Sequence, residues 1–85
     1  DIKGQTQQTL DIIDQFLEDA GTDKSQILSV TIYLKDIEKD YAAFNEIWDM
    51  WVADIEALPR TCVEAKLYDP RVLVELTVTA VRAAN

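Results

Sequence analysis

Ile27-Leu28-Ser29-Val30-Thr31-Ile32-Tyr33-Leu34 alternates with the period of an extended chain: Val30, Ile32 and Leu34 fall on one face, and Ser29, Thr31 and Tyr33 on the other. β-branched residues at that period suit a half-covered pleated sheet, so the stretch is expected to be a strand with one face on a core. What flanks it decides the fold class. Upstream, residues 5–20 carry Leu10, Ile13, Leu17 and Ala20 at helical spacing, with Gln7, Asp11, Asp14 and Glu18 mostly opposite, and Gly21 supplies a stop. Asp23-Lys-Ser25 predicts a turn or short helical start before the strand. Downstream, residues 35–39 are a charged connection into a second helix over residues 40–55, marked by the recurrence of Phe44, Ile47, Trp48, Trp51 and Ile55, and Pro59 closes the loop behind it.

Two further strands complete the pattern. Residues 61–67 alternate Val63, Ala65 and Leu67 against Cys62, Glu64 and Lys66, and Tyr68-Asp-Pro-Arg71 is a turn. Residues 72–81 then set Val72, Val74, Leu76, Val78 and Ala80 against Leu73, Glu75, Thr77, Thr79 and Val81. The order α-β-α-β-β predicts an α+β fold, a single layer of two helices on a mixed β-sheet. The uncovered face, with Thr31, Tyr33, Cys62, Leu73, Thr77 and Val81, is too apolar for full wetting and too mixed for a core, which is the composition of a subunit interface.

With 85 residues, 48% of them hydrophobic, one domain with one modest core is expected. A single cysteine and no histidine exclude an intrachain disulfide framework and any Cys/His metal cluster. Small exported domains usually rely on disulfides, so a reducing, cytoplasmic location is expected. The net charge of −8 argues against nucleic acid or an anionic membrane as partner, and no apolar run reaches the length of a membrane span. The charge is uneven: residues 1–59 hold four basic against thirteen acidic side chains, a net of −9, while residues 60–85 hold four against three, a net of +1. A small anion is better accommodated in the last third.

Separated motifs agree with one known family. Pro59-Arg60-Thr61-Cys62-Val63-Glu64 resembles the Pro-x-Arg-Ser/Thr-x-Val signature strand of the reactive-intermediate (enamine/imine) deaminase family, Rid or YjgF-like, and Val74-Glu75-Leu76 resembles its Val-Glu-Ile/Leu strand. The interval between Arg60 and Glu75 is also similar. Upstream, Tyr41-Ala-Ala-Phe-Asn45 resembles its Phe-Ala-x-Val-Asn segment, and Thr31-Ile-Tyr-Leu-Lys-Asp36 its Thr-x-Phe-Leu-x-Asp strand end. Two departures stand out: the proline abuts Arg60 where the family usually has one residue between, and the loop over residues 52–59 is short. The resemblance implies a chorismate-mutase-like, YjgF-like fold over residues 1–85 in which the family's usual N-terminal β-hairpin is missing.

It also implies an activity, that of an endoribonuclease L-PSP-like protein acting as a 2-iminobutanoate/2-iminopropanoate deaminase. Such a hydrolase turns 2-imino or 2-enamino acids into 2-keto acid and ammonia within a homotrimer, without cofactor or metal because an imine carbon is already electrophilic. Arg60 and the backbone N–H of Cys62 would hold the substrate carboxylate, Glu75 would orient or deprotonate the attacking water, and Asn45 would line the pocket. The residues themselves support this unevenly. Arg60 offers a planar fork suited to a carboxylate, yet can equally be a solvated arginine after a proline turn. Glu75 among Val72, Leu73, Val74, Leu76 and Val78 needs water, a cation or a site, and an edge strand facing solvent would serve. Asn45 fits the wet side of the second helix as well as a pocket. Cys62 lacks a histidine base and reads as a packing residue with a backbone role, and Trp48 and Trp51 as core. The alternative function is a non-enzymatic trimeric binding module for small carboxylates or a protein partner.

Overall fold

The fold was obtained as a computed structural model, which describes residues 1–56 and 58–81. α1 (Ile2–Asp19) precedes a 3-10 turn (Lys24–Gln26), β1 (Ile27–Leu34), α2 (Ile37–Trp51), β2 (Arg60–Glu64) and β3 (Val74–Ala80). The expected α+β order is therefore present, with two helices on a three-stranded mixed sheet of order β2-β1-β3. β1 pairs in parallel with β2 through the α2 crossover and antiparallel with β3.

β1 takes the centre because its alternation supplies a fully apolar inner face. Val30, Ile32 and Leu34 are buried against Leu10 of α1 and Phe44 and Trp48 of α2, and Leu10 and Phe44 are 0% exposed. Emptying a site such as Phe44 to alanine costs about 3–5 kcal/mol in lost transfer energy and cavity.

The helix ends differ from the sequence expectation for identifiable reasons. α1 begins at residue 2 because Asp1 acts as N-cap, its carboxylate accepting from the Gly4 N–H at 2.6 Å. It ends as expected: Gly21 takes φ +76°, the Thr22 N–H donates to Leu17 O (2.9 Å) and the Gly21 N–H to Glu18 O (3.0 Å), a Schellman closure. α2 begins at residue 37, within the segment expected to be a connection, because Asp36 accepts from the Lys39 N–H (3.1 Å) and Glu64 from the Ile37 N–H (3.0 Å). It stops at residue 51, before the expected Ile55. There Lys24 Nζ donates to the Trp51 carbonyl at 2.6 Å and lies 5.3 Å from the Trp51 ring centroid, so a distant lysine caps the C-terminal end.

β2 departs most. It spans five residues, and its register pairs Arg60, Cys62 and Glu64 with Val30, Ile32 and Leu34. Directly paired residues share a face, so these three side chains lie on the helix side. Val63, expected to face inward, is on the open face and 39% exposed. Cys62 accordingly leaves the open face, which keeps Thr31, Tyr33 and Thr77, holds Glu75 beside them, and gains Thr61 and Val63.

Candidate functional site

Arg60 enters β2 behind Pro59, whose carbonyl accepts from the Val30 N–H at 3.1 Å. Its side chain lies on the helix face and meets Tyr41 and Trp48 of α2, between which Asn45 falls on the same stripe of the helix, the three spaced four and three residues apart. The guanidinium carbon is 5.4 Å from the Trp48 ring centroid and 5.9 Å from that of Tyr41, and Nη2 donates to the Tyr41 hydroxyl at 3.3 Å. Two aromatic faces and one phenol hold the cation in place. Nη1 is buried without a hydrogen-bond partner, and so is Oδ1 of half-buried Asn45, which shares the α2 stripe of Tyr41 and Trp48.

An open groove of about 530 Å3 runs past Arg60, lined by Ile37, Glu38, Tyr41 and Cys62. Burial pushes the Cys62 thiol above its ordinary pKa, only partly opposed by the Arg60 charge, so it is a neutral thiol near pH 7. Its main chain is better placed for binding. The ladder bonds at the two ends of the β1–β2 pairing use Pro59 O and the Ala65 N–H, the latter donating to Leu34 O at 3.0 Å. Alternate residues of a parallel strand take such bonds, so those of β2 are odd-numbered and the Cys62 N–H points away from β1, toward the edge that carries no further strand among the described residues.

Glu75 lies elsewhere. It pairs with Tyr33 on the open face of β3, is exposed, and lines a separate groove of about 510 Å3 between α1 and β3 with Gln5, Tyr68 and Arg71 among the other lining residues. Gln5 sets that end of β3: its amide donates to Arg71 O (2.8 Å) and accepts from the Leu73 N–H (2.8 Å). Within one chain Arg60, Cys62 and Asn45 share one flank, and Glu75 is on the other. Tyr41 and Trp48 are companions of Arg60 that sequence reasoning misses, although their spacing around Asn45 is visible there. Trp48, expected as core, is 4% exposed and is also the platform under the guanidinium. Among the described residues no group of three or more His, Cys, Asp or Glu could hold a metal ion, and no helix is long and apolar enough to cross a membrane.

Comparison with known proteins gives consistent matches. The family model described as endoribonuclease L-PSP matches residues 1–82. A RutC family protein of Haemophilus ducreyi is 47% identical over 76 residues, covering 89% of this chain and 64% of the relative. The RutC family protein YoaB of Escherichia coli is 45% identical, covering 89% and 66%. The chain thus spans about two thirds of the length of these curated relatives. Among solved structures, a YjgF protein family member from Neisseria meningitidis superposes with TM-score 0.87 at 42% identity, over 94% of this chain and 66% of that one. A Rid family protein of unknown function from Yersinia pestis gives 0.87 at 34%, over 94% and 63%.

Proposed function

The chain belongs to the endoribonuclease L-PSP family, the YjgF/Rid group, and on that premise we propose that it is a cytoplasmic, homotrimeric hydrolase that deaminates small 2-imino and 2-enamino acids. The observation that carries the proposal is the Arg60 guanidinium, bonded to no carboxylate among the described residues, beside an open groove and next to an outward-facing backbone N–H. A cation held by aromatic rings and a neutral hydroxyl keeps its full charge for an incoming carboxylate.

In this reading Arg60 and the Cys62 N–H fix the substrate carboxylate and present the imine carbon. An enamine first takes a proton at its β-carbon to become the imine. Water adds to the imine carbon as a carboxylate, assigned to Glu75, accepts its proton and returns one to nitrogen. Collapse of the carbinolamine breaks the C–N bond and releases ammonia and the 2-keto acid. Glu75 must come from a neighbouring copy, which the trimer provides through the mixed open sheet face. No metal or organic cofactor is required for addition to a carbon that is already electrophilic.

The test is ammonia release from freshly generated 2-iminobutanoate by the full protein, with Arg60→Ala alongside. Acceleration by the wild type and its loss in the variant support the proposal, and equal turnover by both overturns it. The separation of Glu75 from Arg60 within one chain favours a second reading, a trimeric binding module for small carboxylates. It requires 2-keto acid binding without turnover in the wild type.

A further inference from the structure

We infer that Tyr41 is a positioning residue for Arg60, holding the guanidinium ready for a carboxylate without neutralising it; this rests on the carboxylate-binding role proposed for Arg60. Three observations converge. Tyr41 is 42% exposed, so its ring is not needed merely to fill the core, and it lines the same groove as Arg60 and Cys62. Its hydroxyl accepts from Nη2 at 3.3 Å, the one side-chain hydrogen bond of Arg60 among the described residues. Its ring and that of Trp48 both lie within 6 Å of the guanidinium carbon, at 5.9 and 5.4 Å.

The chemistry of the holder matters. A carboxylate at the Tyr41 position would fix the arginine equally well but would cancel the charge the ligand needs. A neutral phenol fixes Nη2 and leaves the guanidinium uncompensated, with Nη1 still lacking any acceptor. Trp48 supplies the platform, and the Tyr41 hydroxyl supplies the direction. An arginine at a strand edge without this anchor would sample many rotamers, and each ligand would have to reorder it on binding.

The experiment compares wild type, Tyr41→Phe, Arg60→Lys and the double variant in the full protein. It reads KM and kcat for 2-iminobutanoate and calorimetric Kd for 2-oxobutanoate. Tyr41→Phe, which keeps the ring, should raise KM and Kd roughly three- to tenfold, the effect of one long hydrogen bond from a cation to a neutral hydroxyl, with kcat within about twofold. Because the lysine of Arg60→Lys has no Nη2 to anchor, the same change in that background should have little further effect, a coupling that a merely structural tyrosine would not show. An unchanged or lower Kd in Tyr41→Phe, or an equal effect in both backgrounds, overturns the inference and leaves the role of Arg60 standing. Binding without turnover in the wild type defeats the deaminase reading while the Kd comparison still decides Tyr41, and absence of binding overturns both.

Discussion

Arg60 and Glu75 stand on the two edge strands of one sheet and on opposite faces of it, Arg60 paired with Val30 and Glu75 with Tyr33 of the intervening β1. Two strand spacings of about 4.8 Å and three residue steps of about 3.3 Å put their Cα atoms roughly 14 Å apart. One small imino acid does not reach both within a chain. Adjacent copies related by a rotation can bring the Arg60 flank of one to the Glu75 face of the next.

That arrangement predicts complementation between dead variants. Arg60→Ala and Glu75→Ala proteins, each expected to be inactive alone, are mixed one to one, unfolded and refolded. If each site takes Arg60 from one chain and Glu75 from its neighbour, about a quarter of the sites in randomly assembled closed rings regain both residues. Ammonia release should recover to about that fraction of wild type. No recovery would mean that the two residues do not meet across chains.

A structural prediction concerns the clamp between the helices. The Trp51 indole N–H donates to both oxygens of Asp14, at 3.1 and 3.0 Å. Asp14→Ala leaves that half-buried donor unpaired and should lower stability by about 1–2 kcal/mol in denaturant titration. Asp14→Asn, which keeps an acceptor, should recover part of this. The sign is informative, because removing an acid from a chain of net charge −8 should by itself reduce repulsion. An Asp14→Ala protein as stable as wild type would show that the clamp contributes nothing.

How much is legible in the sequence depends on how local each cause is. β1 is legible with its bounds because alternation and β-branching are written into eight consecutive residues. Gly21 announces its own left-handed turn. The C-terminal end of α2 is not legible, since Lys24, far away in the chain, caps it. The face of β2 comes out reversed from sequence because Val63 is the most apolar residue of a short edge strand, while the pairing that turns it outward is set by β1. The candidate site is legible only as residue types, Arg60 above all. Its division between two flanks follows from strand order, which no local pattern encodes.

Gly21 gives a cleaner stability test than any core position. A Cβ built there meets nothing within 4 Å, so the cost of Gly21→Ala is the backbone conformation alone, at φ +76°. The variant should lose about 1–2 kcal/mol, seen as a lower unfolding midpoint at an unchanged denaturant slope. Gly21→Asn should lose less, because asparagine tolerates the left-handed region. Equal stabilities for all three would show that the helix end relaxes freely.

The last prediction uses the Cys62 thiol as a reporter of the Arg60 charge. Burial raises its pKa and the nearby guanidinium lowers it, with burial the larger influence. Iodoacetamide alkylation requires the thiolate, so its rate in the folded protein should reach half-maximum at a higher pH than for the unfolded chain. Arg60→Met keeps most of the bulk and removes the charge, so it should move that midpoint higher still. The sign for stability follows from the same shift. A folded-state pKa raised above the unfolded one favours the folded thiol at and below the unfolded value, and this contribution is lost as pH rises through the folded value. Stability should therefore fall on the alkaline side, and Cys62→Ala should flatten that slope. A midpoint that drops in Arg60→Met would mean that the arginine acts on Cys62 by excluding water and not by its charge, and the electrostatic account of this flank would have to be reversed.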